Sequence, residues 1–495
     1  MDDFLARLND QERQRYQKLL RLRERGINPY PLRVSRTHTA REALDAFTRG
    51  ETLQGIQLVG RLVALREMGK LAFAHVQDGT AKIQWMFRKD LVGEAQYALL
   101  LKEFDLGDFI GATGDMMRTR TGEITLQVTR FELLAKTLSP LPEKWHGLKD
   151  IETRYRQRYL DLLANESVRE VFIKRSKIVT AMRQYLDAHG FLEVETPILQ
   201  PLYGGAAAEP FITHHNKLDQ DMYLRIADEL YLKRLLVGGL ERVYEIGKDF
   251  RNEGIDFRHN PEFTMMECYQ AYGDYTTMMT LVEELYAACA LAANGTLQIT
   301  YQGHTIDLTP PWPRVTMRDL ILQHCGVDIE VDTDLPSLRQ RIAALNLQVE
   351  AQPTWGKQVD KLFSTFVEPH LIQPTLVIDY PEEISPFAKK KPDKPHLVER
   401  FEAYAACMEL GNAFTELNDP LDQYARFMAQ AEQRRAGDKE AHQVDLDFIQ
   451  ALMHGMPPTG GLGVGVDRMV MLLTDQPSIR EVILFPQLKT ETRFL

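Results

Sequence analysis

Short runs of apolar residues, broken by glycines, extend from about residue 55 to 135. The five runs read IQLVGRLVAL, LAFAHVQDG, AKIQWMF, GDFIGATGDMM and EITLQVTRFELL. Their lengths, their β-branched content and the turn residues between them are typical of β-strands. Five strands in so short a segment predict a small Greek-key barrel of the OB type, although the pattern alone does not separate it from another small barrel.

Helical periodicity marks two other parts of the chain. Residues 1–27 have a helical pattern that ends at Gly26, before the turn-forming NPYP. Further on, SVREVFIKRSKIVTAMRQYLDAHG closes on Gly190 and places apolar side chains at helical spacing: Val168, Val171, Phe172, Val179, Met182 and Leu186. We expect this helix to lead into a strand with the sequence FLEVETPIL.

The remainder of the chain alternates strand-rich and helical stretches. Strand-rich blocks at 243–272, 375–380, 398–418 and 460–466 predict an α+β body built on an antiparallel sheet. Residues of about 315–372 indicate an inserted helical lobe, and the proline-marked SPLPEKWHG at 139–147 indicates a linker. We therefore expect four parts: a helical segment at 1–50, the barrel at 51–140, a linker at 141–150 and the large domain at 151–495.

The overall charge argues against a general affinity for nucleic acid. The chain has 495 residues with 59 Lys and Arg against 70 Asp and Glu, a formal charge of −11, so any polyanion must meet a local patch. Residues 11–25 carry six basic and two acidic side chains. This segment is either such a patch or the solvated face of a surface helix.

Cysteine usage and apolar runs bear on the compartment. The four cysteines lie far apart and form no C-x-x-C pair, which argues against a zinc knuckle or a disulfide framework and fits a reducing compartment. The start of the chain shows no apolar signal region, and no run of about 18 apolar residues suggests a membrane span. We expect a cytoplasmic protein without a membrane segment.

The stretch FRNEGIDFRHNPEF at 250–263 concentrates charge in one loop. Alternation along the flanking strands places Arg251 on the more polar face of the first strand, and Phe263, Glu267 and Tyr269 on one face of the second. If the two strands pair as a hairpin, these four side chains share one surface. Because guanidinium groups bind phosphate or carboxylate at two points, the stretch predicts an anion-binding flap; a plain surface hairpin with ion pairs is the alternative.

A second stretch, TGGLGVGVDRMVMLL, leaves one strand face without side chains. Gly461, Gly463 and Gly465 alternate with residues that pack on the opposite side, and a bare face admits another backbone or a flat ligand. The following helix places Arg468 near its N-terminus, where a phosphate is favoured. Tight packing between strands is the alternative explanation.

The third stretch, VERFEAYAACMELGNAFTELNDP, brings Glu402, Glu409 and Glu416 into an otherwise apolar segment. Buried carboxylates need partners, and hard cations that bridge phosphates are natural ones. Glu409 and Glu416 would fall on opposite faces of an uninterrupted strand. A turn near Cys407 or a bulge at Gly411 is therefore needed if both line one site.

These stretches resemble the three motifs of the class II aminoacyl-tRNA synthetases, and the likeness runs from about residue 10 to 489. GFLEVETPIL around Pro197 resembles the first motif, FRNEGIDFRHNPEF the second and GLGVGVDRM the third. RIADELYLKRLLVGG, GGAAAEPFITHHN and ELGNAFTELNDP are of the lysine-specific type. The resemblance implies ATP-dependent ligation of L-lysine to tRNA(Lys) through a lysyl-adenylate, with release of AMP and pyrophosphate, by a homodimer that uses Mg²⁺.

The resemblance also implies roles for individual residues. The ATP site would comprise Arg251, Glu253, His259, Asn260, Phe263, Glu402, Glu409 and Arg468. Within that set, Glu402 and Glu409 would hold Mg²⁺, and Arg251 and Arg468 would be the catalytic arginines. The lysine pocket would comprise Gly205, Glu229, Glu267, Tyr269, Asn412, Phe414 and Glu416, and the barrel would contact the anticodon through Arg66, Phe73 and Gln84.

Three other kinds of protein share parts of this pattern. Aspartyl and asparaginyl relatives share both domains, but their substrates lack the side-chain ammonium that acids at Glu229 and Glu267 would face. A lysyl-transferring relative that modifies a protein lacks the barrel. A non-catalytic RNA-binding descendant would be expected to have lost some of the ATP-site residues.

The chain departs from the family pattern at two places. Glu209 stands where the family commonly has a basic residue, which predicts altered loop closure or acceptor-end contact but not lost chemistry. Cys407-Met408 replaces the Gly-Arg pair of many bacterial members.

Overall fold

The computed structural model describes residues 5–141, 148–435 and 443–490. Two compact units divide the chain, Met1–Gly147 and Leu148–Leu495. Most of the predicted linker, residues 142–147, lies outside the described residues. Within the described part of the chain, no helix combines the length and the apolar character needed to cross a membrane.

The N-terminal unit contains a closed five-stranded barrel. Its strands are β1 (Ile56–Met68), β2 (Leu71–Gln77), β3 (Lys82–Arg88), β4 (Phe109–Arg118) and β5 (Ile124–Ala135), and its helices are α1 (Asp10–Glu24), α2 (Ala40–Thr48), α3 (Lys89–Val92) and α4 (Glu94–Glu103). The strands close in the order β1-β2-β3-β5-β4. The predicted barrel is confirmed, because each apolar run forms one strand whose alternate side chains fill the interior.

Helix α1 is shorter than the helical pattern over residues 1–27 predicted. It begins at Asp10, because Asn9 and Glu12 form a capping box at its start. Gly26 follows its end with a φ of +74°, a conformation that stops a helix at little cost when the residue is glycine. Residues 1–4 lie outside the described part of the chain.

Three of the six basic side chains at residues 11–25 form ion pairs with acids of the same unit. The ion pairs are Lys18 with Asp105 at 2.7 Å, and Arg21 and Arg25 with Glu103 at 3.0 and 3.6 Å. This pairing favours an ion-paired helix face over a free patch for a polyanion.

The C-terminal unit is built on an eight-stranded sheet in the order β14-β15-β16-β17-β18-β11-β10-β6, with small sheets β7-β9-β8 and β12-β13. The strands are β6 (Leu192–Glu193), β7 (Leu199–Gln200), β8 (Ile212–His215), β9 (Gln220–Leu224), β10 (Arg242–Phe250), β11 (Glu262–Ala271), β12 (Gln298–Tyr301), β13 (His304–Asp307), β14 (Arg314–Thr316), β15 (Thr375–Pro381), β16 (Leu397–Ala405), β17 (Met408–Thr415) and β18 (Thr459–Gly465). From β15 to β10 neighbouring strands are antiparallel.

Helices surround this sheet, which confirms the predicted α+β class. They are α5 (Ile151–Arg156), α6 (Arg158–Ala164), α7 (Glu166–Ala188), α8 (Glu229–Val237), α9 (Tyr275–Asn294), α10 (Met317–Cys325), α11 (Leu335–Ala344), α12 (Trp355–Phe366), α13 (Pro420–Arg435), α14 (Leu446–Met453), α15 (Val466–Leu473) and α16 (Ile479–Val482). Helices α10 to α12 fall in the predicted insertion. Strand β14 precedes them and joins the edge of the large sheet.

The predicted strand FLEVETPIL is wrong in extent. Only its two ends are extended, as the two-residue strands β6 and β7. Pro197 has no N–H for a strand ladder, and the N–H and the hydroxyl of Thr196 donate instead to the Glu245 carboxylate at 3.0 and 2.7 Å. The N–H of Val194 still donates to the carbonyl of Tyr244 at 2.9 Å, and strand pairing gives way to side-chain hydrogen bonding at Thr196.

The hairpin of β16 and β17 contains both a turn at Cys407 and a bulge next to Gly411, the two features that could bring Glu409 and Glu416 to one site. Ala406 and Cys407 form its turn with φ values of +52° and +58°. Tyr404 pairs with Glu409, whereas Ala403 pairs with Gly411, so one extra residue bulges from β17. The bulge places Glu409 on the same sheet face as Asn412 and Phe414.

Strand β18 places its apolar side chains in the core. Leu462 and Val464 are buried in the main hydrophobic cluster of the unit, together with Val466 and Met469 of α15. The three alternating glycines consequently face the other side of the sheet. That side forms the floor of a cavity.

Candidate active site

A cavity of about 400 Å³ lies on the glycine face of the sheet. The strand register builds its floor as two adjacent rows: Glu402, Asn412, Gly463 and Glu267, and next to them Arg400, Phe414, Gly461 and Tyr269. The cavity is lined by every residue that the sequence predicted for the ATP and lysine sites: Gly205, Glu229, Arg251, Glu253, His259, Asn260, Phe263, Glu267, Tyr269, Glu402, Glu409, Asn412, Phe414, Glu416 and Arg468.

One end of the cavity is basic and aromatic. The guanidinium carbon of Arg251 lies 5.0 Å from the centre of the Phe263 ring, a cation–π contact. Its Nε is buried without a hydrogen-bond partner among the described residues, so this donor is available to an anionic ligand. In the first turn of α15, Arg468 donates to the Glu409 carboxylate at 3.0 Å and lies 3.4 Å from Nε2 of His259.

The loop between β10 and β11 is held in place by its own polar groups. Nδ1 of His259 lies 2.9 Å from an oxygen of Asp256. The side-chain amide of Asn260 donates to the carbonyl of Glu262 at 2.5 Å, and its oxygen accepts from the N–H of Gln487 at 3.2 Å. Asn260 therefore fixes the loop that carries Arg251 and His259.

The other end of the cavity is acidic and enclosed. The side chains of Glu229, Glu267 and Glu416 are all buried. The hydroxyl of Tyr269 donates to the Glu267 carboxylate at 2.9 Å. Burial, together with the charges of Asp249 and Glu229, raises the pKa of Glu267 to about 8, so this acid exchanges its proton near neutral pH.

Two glycines make room for this acidic end. Gly205 has a φ of +90°, and a Cβ there would lie 3.0 Å from the Cβ of Ala227 and 3.1 Å from that of Glu229. A Cβ at Gly461 would lie 2.5 Å from the ring of Tyr269 and would overlap the carboxylate of Glu416. Side chains at these positions would close the pocket.

Glu402 and Glu409 form an acidic pair on the cavity wall. Glu402 accepts hydrogen bonds from Arg400 at 2.5 Å, Tyr380 at 3.0 Å and Tyr404 at 2.5 Å. Burial and the charge of Glu409 raise the pKa of Glu402 to about 7, against the effect of Arg400. A divalent cation between the two carboxylates would relieve this repulsion.

Sequence reasoning missed Lys233, a residue at the acidic end. Its buried ammonium forms ion pairs with both Glu229 and Glu416. The signal was present, because Lys233 lies four residues after Glu229 in the predicted helical stretch and so faces the same side of a helix. The contact with Glu416 was not readable, since it joins distant parts of the chain.

Sequence reasoning also missed a buried charge cluster around Arg225. Its Nε lies 2.8 Å from Asp228 and 3.2 Å from Asp249, and its Nη1 lies 2.6 Å from Glu245. Three carboxylates thus meet one guanidinium. Burial, with the charge of Asp249, raises the pKa of Asp228 to about 11, so Asp228 carries a proton at neutral pH.

The two departures from the family pattern have distinct surroundings. The backbone carbonyl of Glu209 accepts a hydrogen bond from the N–H of Asn252 at 2.8 Å, which ties this segment to the Arg251 loop through the main chain. Cys407 lies in the β16–β17 turn at a φ of +58°, where glycine is the easier residue.

In the N-terminal unit, the predicted anticodon residues share one outer face of the barrel. Arg66 pairs with Phe73 across β1 and β2, and His75 pairs with Gln84 across β2 and β3. Gln84 donates to Glu123 at 2.8 Å. Phe73 and Gln84 are partly exposed and Arg66 is exposed.

Comparison with known proteins places this fold and site in a family. Residues 150–489 match the family described as tRNA synthetases class II (D, K and N), and residues 56–134 match the OB-fold nucleic acid binding domain. The chain is 58% identical over 488 residues to a lysine–tRNA ligase of Roseiflexus sp. (strain RS-1), covering 97% of this chain and 99% of the relative. The chain belongs to the class II lysine–tRNA ligases. Other members are those of Chloroflexus aurantiacus, 57% identical over 97% of this chain and 99% of the relative, and Dehalococcoides mccartyi, 52% identical over 96% and 97%.

Membership of the lysine–tRNA ligases confirms the resemblance and the two-domain fold class inferred from the motifs. It also separates this chain from the aspartyl and asparaginyl relatives that share the same two folds. Lysine–tRNA ligases are ATP-using enzymes, so the chain is an enzyme of the ligase class.

Proposed function

We propose that this chain joins L-lysine to tRNA(Lys) through the residues assembled in the cavity. The observation that carries the proposal is the polarity of the cavity: buried carboxylates at one end and two arginines at the other. L-lysine has two ammonium groups, which suit the acidic end. Its carboxylate and the ATP phosphates suit the basic end.

The lysine end selects by charge. Glu229, Glu267 and Glu416 face the two ammonium groups, with Tyr269, Asn412, Phe414 and Gly205 completing the walls. A buried carboxylate left without a partner costs about 3–5 kcal/mol. An uncharged analogue is therefore rejected, because it leaves at least one of these acids without its ion pair.

ATP occupies the basic end. Phe263 supplies a flat surface for the adenine, Arg468 neutralises the γ-phosphate, and Glu253, His259 and Asn260 line the nucleotide cavity. Arg251 lies between the two substrates, where its guanidinium reaches both the lysine carboxylate and the α-phosphate. By contacting both groups, Arg251 aligns the attacking carboxylate oxygen with the α-phosphorus.

The first step follows from this placement. The lysine carboxylate attacks the α-phosphate, the bond to the β-phosphate oxygen breaks, and pyrophosphate leaves. The transition state needs alignment and charge neutralisation rather than a protein base. The lysyl group of the adenylate then passes to a terminal hydroxyl of the tRNA, and AMP is released.

Glu402 and Glu409 suit a Mg²⁺ ion bound to the triphosphate. Their mutual repulsion favours a cation, and Mg²⁺ is commonly held by one or two carboxylates together with substrate phosphates. In the described residues no group of three or more His, Cys, Asp or Glu side chains could hold a metal by itself. The site thus depends on ATP for its remaining ligands, and the ion would neutralise phosphate charge when bound.

The barrel supplies tRNA recognition. Phe73 would stack on an anticodon base, while Arg66 and Gln84, which share its outer face of the barrel, would hydrogen-bond nearby. The enzyme acts where tRNA is charged for translation, in the cytoplasm.

A homodimer is supported by apolar residues around the first motif. Leu192, Ile198, Leu199, Leu202 and Ile212 are exposed, and Leu199 of β7 and Ile212 of β8 flank the central strand β9 of the small sheet. Clustered exposed apolar groups mark an interface. Sedimentation of an Ile212→Lys variant should show monomer where the parent sediments as a dimer.

Lysine-dependent ATP–pyrophosphate exchange, followed by charging of tRNA(Lys), tests the proposed function. Exchange should require lysine and should not be supported by aspartate or asparagine. Exchange that is driven by either of those amino acids, or charging without lysine, would contradict the proposal.

A further inference from the structure

The ammonium of Lys233 is completely buried at the acidic end of the cavity, between two of the acids assigned to the substrate. It forms ion pairs with Glu229, four residues earlier on α8, and with Glu416, which follows β17. Among the described residues, the two carboxylates line the cavity and Lys233 lies behind them. A substrate therefore meets the acids but not the lysine.

Aromatic rings complete the surroundings of this ammonium. It lies 4.9 Å from the centre of the Phe387 ring, 5.4 Å from that of Phe414 and 6.0 Å from that of Tyr269. Rings at these distances stabilise a desolvated cation. Lys233 is consequently held as a charged group in a fixed position, although burial alone would favour its neutral form.

The charges at this end can be counted. Glu229, Glu267 and Glu416 contribute three negative charges when ionised, and Lys233 contributes one positive charge. Arg400 also lines the cavity but is ion-paired with Glu402, and the two charges are left out together. Two negative charges remain, which equals the number of ammonium groups on L-lysine. Without Lys233, a bound lysine would leave one buried carboxylate uncompensated, and such a group takes up a proton instead.

We propose that Lys233 is a specificity-determining positioning residue, a built-in ammonium that adjusts the acidic end to the charge of a substrate with two ammonium groups. This inference rests on the proposed lysine-activating function and deepens it. Lys233 acts through Glu229 and Glu416, whose ionised forms it stabilises, and it has no contact with the substrate itself.

The groups that face Lys233 determine what its removal does. Glu229 and Glu416 contact it, Glu267 and Tyr269 lie beside them, and Arg400 acts on Glu229 from the neighbouring strand. Loss of the Lys233 charge leaves Arg400 as the nearby cation, and the three acids then retain one more proton. That proton removes one ionised partner from the acids that face the substrate ammonium groups. Binding therefore weakens at neutral pH and recovers at higher pH, where the acid ionises.

The test compares Lys233→Gln with Lys233→Arg in lysine-dependent pyrophosphate exchange by the full chain. The glutamine variant should raise the KM for lysine on the order of 100-fold at neutral pH, with the KM for ATP unchanged. Its profile of kcat/KM for lysine against pH should move to higher pH. The arginine variant keeps the charge and should keep the pH profile of the parent.

Two outcomes would overturn the proposal. One is a glutamine variant with the KM and pH profile of the parent. The other is equal loss of activity in both variants without a change of pH profile, which would assign Lys233 to space filling. If the Lys233→Gln variant does not fold, the Lys233→Arg variant still tests the proposal. A shifted pH profile in Lys233→Arg, which keeps the charge, would contradict a role that depends on charge. Absence of exchange in the parent would instead refute the proposed function.

Discussion

The hydroxyl of Tyr269 donates a 2.9 Å hydrogen bond to the carboxylate of Glu267, two residues earlier on the same face of β11. The two side chains lie beside a strand that has only glycine opposite them, at Gly461 and Gly463. The pair therefore stands in an enclosed space that is open only toward the cavity. We therefore expect the binding of lysine at this pair to depend on pH.

Lysine binding should release protons near neutral pH. Burial and two neighbouring carboxylates raise the pKa of Glu267 to about 8, so this acid is largely protonated in the free enzyme at pH 7. An ammonium ligand favours the ionised form, and affinity for lysine should therefore fall as the pH drops below 8. Calorimetry in two buffers of different ionisation enthalpy measures the release, and heats that are independent of the buffer would contradict it.

Glu267→Gln should lower lysine-dependent pyrophosphate exchange by at least about 100-fold, because an amide cannot pair with the substrate ammonium. Glu262→Gln is the matched control, since Glu262 lies on the same strand but is partly exposed and pairs with Lys248 at 3.6 Å. The control should exchange at nearly the parental rate. Equal rates for both variants would remove Glu267 from lysine recognition.

Gly461→Ala should abolish lysine activation, whereas Gly465→Ala should leave the lysine site intact. A Cβ at Gly461 would lie 2.5 Å from the Tyr269 ring, but a Cβ at Gly465 meets only Arg468 atoms at 3.9 Å. Both substitutions add one methyl group to the same face of β18. Lysine-induced shifts of Tm compare them, and a normal shift for Gly461→Ala would show that the pocket can expand.

Arg468→Ala should raise the KM for ATP by roughly 10–100-fold, the effect of one lost hydrogen bond to a charged group. The KM for lysine should change little, because Arg468 lies at the other end of the cavity. Arg339→Ala, which removes an exposed arginine of the insertion, serves as the control. An unchanged ATP dependence would end the assignment of Arg468 to the triphosphate.

Asp228→Asn should be tolerated, because burial and the charge of Asp249 raise the pKa of Asp228 to about 11 and the amide resembles the protonated acid. In the parent, the unfolded chain loses the Asp228 proton at low pH while the folded chain keeps it. Folding stability from this group is therefore lost as the pH rises, by up to about 1.4 kcal/mol per pH unit.

The Asp228→Asn variant lacks this dependence, so its free energy of unfolding relative to the parent should increase between about pH 6 and pH 8. Urea unfolding at the two pH values measures the difference. Asp221→Asn changes an exposed carboxylate and should show no such trend. A relative stability of Asp228→Asn that does not change between the two pH values would mean that Asp228 is ionised in the folded protein.

Much of the fold and of the site was determined by the sequence itself. Alternation of apolar and polar residues is a local property, so the five barrel strands, helix α7 and the glycine face of β18 followed from short windows of the chain. The motifs around Arg251, Glu409 and Arg468 indicated the chemistry through their resemblance to the motifs of the class II synthetases, whereas the residue types alone left structural alternatives open.

Only the tertiary structure decided how distant residues share charge. The bulge before Gly411 places Glu409 on the cavity face, Lys233 meets Glu416 across the pocket, and Arg225 gathers acids from separate elements. The stretch FLEVETPIL forms only two short strands, because Thr196 in its middle hydrogen-bonds to the Glu245 carboxylate. Pairings of this kind depend on which segments pack together. The pattern of residues along one segment does not specify which other segments contact it.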